Sequence, residues 1–370
     1  MEFSYWEYKT WLSNIDFTIV GSGIVGLSCA ISLKERFPRA KILVLEKGIL
    51  PQGASTKNAG FACFGSISEV LSDLKSHSEE EVVELVTQRF SGIQLLRKVL
   101  GDKKIGFQQL GGHELFLGKD KALLEDCLSN LESINELLQP IFGGAPFAVH
   151  QNSFGFKGIH PNSITHQFEG QIDTGKMMRS LLDKVAQNGI LVLNNVAVKS
   201  FRENGDTVDV LTDSFEFKTN KLLVATNGFA SQLLREDVKP ARAQVLITKP
   251  IENLHIQGTF HLDEGYYYFR NIDDRVLFGG GRNLDFKAEE TTIFGQTELI
   301  QKELKRLLRE VILPNTPFGI DRRWSGIMGV GKQKKPILKQ LSNHVYCGVR
   351  LGGMGIAIGS QVGKDLAGLP

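Results

Sequence analysis

Three clusters of glycine in this chain have the residue types and spacing to bring bare backbone against a ligand. The first is Gly21-Ser22-Gly23-Ile24-Val25-Gly26. Gly21 permits a tight turn, Gly23 lets the backbone approach a pyrophosphate, and Gly26 lets a helix and a strand pack closely. A diphosphate would sit on the N–H groups of Ile24 and Val25, where a helix N-terminus favours an anion. Glu46, followed by Lys47, would accept hydrogen bonds from an adenosine ribose. Thr226-Asn227-Gly228 is a second glycine turn, offering another approach to the same nucleotide. The third cluster, Gly352-Gly353-Met354-Gly355, opens a helix, so its N–H groups can also face a ligand. Between them lies Pro51–Ser66, rich in small residues yet carrying Phe61, Ala62, Cys63 and Phe64. It is too apolar for a surface loop and is expected to line a flat cofactor ring. The chemistry implied is dinucleotide binding, with NAD and FAD both open at this point.

Other reactive side chains form no recognisable machine. Cys29, Cys63, Cys127 and Cys347 are scattered without a CxxC, as expected of reduced thiols. His150, His160 and His166 fall in an irregular stretch, Gly143 to Gly170, and match no metal-ligand spacing. They are expected to be exposed loop histidines, and no metal is expected. Phe3, Tyr5, Trp6, Tyr8 and Trp11 crowd the first residues. Their rings are expected to pack on the body of the protein, with partner docking or a lid as the alternative.

The elements that must position these residues follow from periodicity. Phe17 to Val20 is an apolar, β-branched run typical of a buried parallel strand. Leu27 to Arg36 reads as a helix stopped by Pro38, and Lys41 to Leu45 as a second strand ending on Glu46. Ser78 and Glu81 could form a capping box for a helix through Leu100. Phe107 to Leu117 reads as a strand with a Gly-Gly turn, and Lys119 to Leu138 as a helix. Asp173 or Thr174 caps a helix ending at Gly189. Ile190 to Leu193 begins a strand, and the segment from Val196 to Phe217 reads as a small antiparallel ribbon. Lys221 to Ala225 is another buried strand. From Pro240 the pattern becomes β-rich, with Tyr266 to Arg270 and Val276 to Gly281 joined at Asp273-Asp274. Alternation places Tyr266, Tyr268 and Arg270 on one face and Tyr267 and Phe269 on the other. Phe294 to Val311 is an amphipathic helix, Asn343 to Cys347 a strand, and a final helix runs to Leu366.

The expected fold is α/β. A Rossmann-like nucleotide domain with a parallel central sheet is assembled from residues 15–75, 170–240 and 322–370. A second domain, 76–169 and 241–321, is built on a mainly antiparallel sheet flanked by helices, and residues 1–14 form an aromatic-rich extension. The 370 residues are 42% hydrophobic and 23% charged, with a net charge of +2. That balance argues against nucleic acid or an anionic membrane as the main partner. No leader and no long apolar run stands out, so a cytoplasmic protein without a membrane span is expected, acting on a small molecule, with a homo-oligomer left open.

From about Asp16 to Leu366 the sequence resembles the FAD-dependent D-amino-acid oxidase superfamily, nearest its glycine oxidase and sarcosine oxidase branch. The resemblance rests on the Gly21–Glu46 unit, Ser55-Thr56-Lys57-Asn58-Ala59-Gly60, Pro240-Ala241-Arg242-Ala243-Gln244, and Trp324-Ser325-Gly326 with Gly352-Gly353-Met354-Gly355. It implies FAD, held without a covalent bond. Gly21, Gly23, Gly26 and Glu46 would hold the ADP half, and Val196 would contact the adenine through its backbone. Asn58, Ala59, Gly60 and Phe61 would line the isoalloxazine, while Gly353, Met354, Gly355 and Ile356 would offer N–H groups to its pyrimidine edge. Tyr266 falls where the family places a substrate-contacting tyrosine. Departures accompany these matches. Met328 stands where glycine oxidases carry a carboxylate-binding arginine, Ala357 where sarcosine oxidases use a lysine, and Leu277 where the latter place a flavin-facing lysine. Lys57 stands where some relatives attach FAD through histidine; Cys63 lies near enough to the flavin loop to leave a covalent link open.

A substitute cation is therefore expected. Arg350, just before the flavin-edge glycines, could stabilise reduced flavin or pin an acidic substrate. Arg270 and Arg282, on the sheet with Tyr266 and Tyr268, could hold the substrate; for each arginine an ion pair is the alternative. The leading expectation is hydride transfer from a substrate C–H to flavin N5, oxidising a C–N bond of a small amine or amino-acid-like molecule. Oxidation of a 2-hydroxy acid is the second, and an FAD-binding protein with a lapsed catalytic pocket is the third.

Overall fold

A computed structural model describes residues 2–370. Ile15–Val20 is buried at every position but Asp16, as a strand covered on both faces requires. It pairs in parallel with Ile42–Leu45 on one side and Glu216–Val224 on the other, with Ile19 opposite Val44 and Leu223. Val345–Val349 extends this sheet in parallel beyond Glu216–Val224, and Leu191–Leu193 extends it beyond Ile42–Leu45. Ile337–Gln340 closes one edge antiparallel. The hairpin Val198–Asn204 and Thr207–Thr212 attaches to the lower half of Glu216–Val224.

The helix Ile24–Arg36 follows the first strand, and Gly355–Leu366 packs directly on it. That approach depends on glycine. A Cβ on Gly363 would lie 2.6 Å from the Val25 carbonyl oxygen, and one on Gly359 would lie 2.8 Å from Ile24 Cγ2. Glu79–Leu100 packs against the other side of the last helix, where Gly92 meets the Ala357 carbonyl. Ala357 is therefore 1% exposed and fills a helix seam; the position compared with a substrate-binding lysine lies in the core.

The second sheet has eight strands in the order Ile320–Val330, Lys239–Thr248, Arg275–Gly280, Tyr267–Ile272, Thr259–Leu262, Gly112–Glu114, Asn162–His166 and Phe147–Gln151. All neighbours are antiparallel except Gly112–Glu114 with Thr259–Leu262. Its buried face carries Phe260, Phe269 and Phe278, with the first two rings stacked at 4.7 Å. The alternation expected across Tyr266–Arg270 is present: Tyr267 and Phe269 enter this core, while Tyr268 and Arg270 face the nucleotide domain. Asp273 and Asp274 both adopt positive φ, +47° and +54°, as a tight hairpin turn demands.

Several expectations change. Gly143 to Gly170 is not irregular: it contains the hairpin strands Phe147–Gln151 and Asn162–His166. The outer strand exposes its last three residues, so it lacks the alternation that marks a half-buried strand. Phe107 to Leu117 contributes only the three-residue strand Gly112–Glu114. His166 is no loop histidine. It is 2% exposed among the rings of Phe64, Phe142 and Phe147, and burial holds its pKa down at about 3. The rings of Tyr5, Trp6, Tyr8 and Trp11 are exposed rather than packed on the body. Phe3, edge-on to Phe215, the buried Leu12 and the Ser13 carbonyl, which accepts from the Lys41 ammonium at 2.7 Å, tie that segment down. No helix among the described residues is long and apolar enough to cross a membrane.

Candidate nucleotide and substrate site

The first glycine turn has the geometry that a bound diphosphate needs. Gly21 takes φ +106°, and a Cβ on Gly26 would overlap the Gly21 carbonyl oxygen. Glu46 is 5% exposed and organises the turn. One carboxylate oxygen accepts from the Ser22 hydroxyl (2.7 Å) and N–H (3.2 Å), the other from the N–H groups of Gly48 (3.0 Å) and Gln52 (3.3 Å). Ile24 donates its N–H to the Ser55 hydroxyl (3.0 Å), so the small-residue loop closes over the helix N-terminus. Thr56 turns away and donates to the Pro51 carbonyl. Lys47 points its ammonium at the Phe229 ring, 3.2 Å from the centroid, and burial lowers its pKa. Val196 gives its N–H to the Glu46 carbonyl (2.9 Å), which leaves its carbonyl rather than its N–H for an adenine.

The loop that follows is held from four directions. Asn58 donates to the carbonyls of Ala54 (3.1 Å) and Ser55 (2.8 Å) and accepts from the Gly60 N–H (2.9 Å) and the Thr174 hydroxyl (2.7 Å). The Trp324 indole donates to the Lys57 carbonyl (2.9 Å). Gly326 lies close beside it, where a Cβ would sit a tight 3.2 Å from Lys57 Cβ. Beneath the loop, Ala59 packs with Leu277 and Val245. Phe61 meets His261 edge-on at 5.2 Å and Tyr268 at 5.7 Å.

The second turn reaches the same place. Asn227 adopts φ +43° and accepts from the Leu351 N–H (3.1 Å). Gly228 passes so close to Ile327 and Met328 that a Cβ would lie 2.6 Å from the Met328 carbonyl oxygen. The Thr226 hydroxyl is buried and without a protein partner, close to Gly21. At the third cluster nothing stands within 4 Å of a Cβ placed on Gly352 or Gly353. The Met354 N–H is spent on the Leu351 carbonyl (3.2 Å), leaving Gly353 and the first turn of Gly355–Leu366 to face a ligand.

One cavity of about 480 Å³ joins these pieces. It runs from Ile24, Ser55 and Asn227 past Ala59, Phe61 and Gly353–Ile356 to Tyr266, Tyr268, His261, Met328 and Arg282. Cys63 also lines it, with its sulfur 3.6 Å from that of Met354. Burial, with Glu169 and Glu69 nearby, pushes that thiol well above its ordinary pKa, which suppresses the reactive thiolate.

The arginine expectations need correction. Arg350 is absent from the cavity wall. It adopts φ +65°, and its buried guanidinium is committed to the Lys335 carbonyl (3.1 and 2.9 Å) and to the Asp237 carbonyl and carboxylate (3.2 Å each). It clamps the 331–335 loop and touches nothing in the site. Arg270, 3% exposed, donates to the carbonyls of Gly60 (3.0 Å) and Ile172 (2.6 Å). It supports the 54–61 loop from behind, and burial lowers its pKa to about 10. Arg282 alone of the three opens into the cavity.

Comparison with known proteins gives the family. Residues 16–369 match the family described as FAD-dependent oxidoreductase, DAO. The chain belongs to that family. A probable oxidoreductase, OrdL, of Haemophilus influenzae is 20% identical, the match covering 97% of this chain and 83% of that protein. Among solved structures, L-proline dehydrogenase from P. horikoshii superposes with TM-score 0.74 at 18% identity, covering 96% of this chain and 92% of that one. Glycine oxidase from Geobacillus kaustophilus superposes with TM-score 0.74 at 19% identity, covering 95% and 94%.

This DAO-family oxidoreductase is FAD-dependent, and its residues fit that cofactor. A Cβ is barred at Gly26, the Thr226 hydroxyl beside Gly21 is unpartnered, and Gly352 and Gly353 present open faces to the cavity that Ile24 and Asn227 also line. Gly21, Gly26, Glu46 and Thr226 themselves lie outside its wall. Two functional groups escaped the sequence reading. His261 lines the cavity with Nε2 buried and unpartnered, and burial lowers its pKa. No motif marks it; its alternation with Phe260 in a short strand was the only signal. Glu169 accepts from the N–H groups of Phe64 (2.6 Å) and Gly65 (3.1 Å), fixing the end of the flavin-lining segment from the core. Among the described residues no cluster of His, Cys, Asp and Glu could hold a metal.

Proposed function

We propose that this FAD-dependent oxidoreductase oxidises the C–N bond of a small amine or amino-acid-like molecule. The observation that carries the reading is the single cavity in which the flavin-lining loop and last helix meet Tyr266, Tyr268, His261 and Arg282. Proteins of the same fold named glycine oxidase, L-proline dehydrogenase and iminodiacetate oxidase support it by their substrate class. The bound flavin would supply the hydride acceptor. The chain's own part is to bind, orient and exclude water. Tyr268 has its pKa pushed up to about 12 by burial and so remains a phenol donor. His261, kept neutral by burial, offers Nε2 as an acceptor for a proton leaving a substrate ammonium. FAD is held non-covalently, since Lys57 offers no attachment chemistry and the Cys63 thiol is held protonated.

A second reading, oxidation of a 2-hydroxy acid, gains from the same histidine, because removing hydride from a hydroxyl-bearing carbon calls for a base at the hydroxyl. The test is anaerobic bleaching of the purified yellow protein by panels of amines, amino acids and 2-hydroxy acids, followed by a peroxide assay. Reduction by amines or amino acids is expected. Selective reduction by hydroxy acids moves the assignment to the second reading, no reduction by any compound points to a lapsed pocket, and a colourless protein that will not take up FAD overturns the whole.

A further inference from the structure

The cavity wall carries three cations, and they differ in how they are neutralised. Lys334 is paired with Asp73 at 2.6 Å. Lys57 sits 5.3 Å from the centroid of the Phe294 ring and, like Arg282, has no ion pair among the described residues, but it is a point charge without the paired donors of a guanidinium. Arg282 has no ion pair among the described residues, and its Nε is buried without a partner. The carboxylates next to it in the chain are engaged elsewhere at least in part, while Glu69 and the exposed Glu264 share the cavity wall. Glu289 accepts from Arg242 at 2.8 and 2.7 Å and from Gln244 at 3.0 Å. Glu290 is paired with Lys239 at 3.2 Å, and Asp285 accepts the Ala288 N–H at 2.9 Å. Phe286 lies against the guanidinium, 4.9 Å from ring centroid to Cζ, and orients it. Partial burial lowers the Arg282 pKa, with Tyr266, Glu289 and Glu290 acting in the opposite direction. Gly281, at φ +77°, turns the chain out of the strand just before Arg282 and donates to the Tyr266 carbonyl (3.0 Å).

We propose that Arg282 is the anchor for the substrate's carboxylate, a refinement that rests on the function proposed above. A guanidinium presents paired donors that match a carboxylate, and its affinity is largest where water is excluded. The anchor comes from an unusual wall. Lys239–Thr248 lies between the strand bearing Met328 and the strand leading to Arg282, so the two walls are about 10 Å apart at two strand spacings. Met328, in the cavity wall at the opposite side, offers an apolar surface and no charge. The substrate is therefore an apolar carboxylic acid bearing the oxidisable nitrogen, held with its carboxylate toward residues 281–286 and its apolar body toward Met328.

The test uses flavin-loaded protein, with acetate and benzoate as carboxylate probes in calorimetric titrations that need no turnover. Wild type is expected to bind both saturably, benzoate more tightly. Arg282→Met should weaken both by about tenfold or more, the loss of one charge-assisted pair, with Arg282→Lys intermediate and the flavin-to-protein absorbance ratio unchanged. Met328→Ser should weaken benzoate while sparing acetate. Failure of wild type to bind either probe, an unchanged affinity in Arg282→Met, or equal loss of acetate and benzoate in Met328→Ser overturns the proposal. Each of these is read on protein that holds FAD, whereas failure to take up FAD overturns the function itself.

Discussion

Glu169 caps two backbone amides from inside the core, and burial pushes its pKa up to about 7 from an ordinary 4.5. Glu114, which accepts from both the hydroxyl and the N–H of Ser68, is raised to about 7 by the same cause. The folded protein thus retains protons that the unfolded chain releases above 4.5. Stability from these groups is full below 4.5 and is lost as pH rises through about 7. Glu169→Gln is expected to flatten about half of the decline in melting temperature over that window, leaving the part due to Glu114; an unaltered slope counts against the assignment. His166, depressed to about 3, acts in the opposite sense, and its contribution is lost as pH falls below 6.5. Arg350 belongs to the same scale. Because its guanidinium is occupied by Asp237 and Lys335, Arg350→Met should lower stability by roughly 1–3 kcal/mol. Denaturant unfolding reads that loss, and the rate of flavin reduction at saturating substrate should stay within about twofold, on the scale where ~1.4 kcal/mol is tenfold.

At the scale of elements, the loop 54–61 is a rigid part because distant elements each hold one of its carbonyls. Trp324 grips Lys57 from one strand of the second sheet, and Arg270 grips Gly60 from another strand three places along the same sheet. Trp324→Phe keeps the ring and removes one hydrogen bond worth about 1 kcal/mol. FAD dissociation, followed by flavin fluorescence, should strengthen by about fivefold with the fold intact, since each 1.4 kcal/mol is roughly tenfold. The elements around this loop differed in how readily they could be read. Gly21 to Glu46 was legible because backbone geometry forces its residue types. The hairpin of Phe147–Gln151 and Asn162–His166 was not, since its outer strand is mostly solvated and leaves no periodic trace. Arg350 was misjudged for a related reason: its place before the glycines is visible in the chain, but its direction is set by Asp237, which lies far away in sequence.

At the scale of the molecule, the cavity is lined by residues of both sheets' elements, so FAD bound there would stabilise the assembly as a whole. FAD at a hundred times its dissociation constant should add about 2.7 kcal/mol to unfolding, seen as a rise in melting temperature that is absent with riboflavin, which lacks the diphosphate for the Gly21 turn. The substrate wall was the least legible feature. Arg282 acquires its meaning only because Glu289 and Glu290 are taken by Arg242 and Lys239, pairings that no spacing along the chain announces.

The order of strands in the first sheet also carries a consequence for synthesis. Ile15–Val20 and Ile42–Leu45 emerge early, yet the turn at Asn227 is completed by Leu351, and the last helix packs on Ile24–Arg36 only after Val345–Val349 has been made. A domain made of early and late segments cannot close while its chain is still threading through the ribosome, although early segments begin to fold as they appear. Flavin capture therefore waits on the segment from Val345 to Leu366: nascent chains arrested before Val345 should remain colourless.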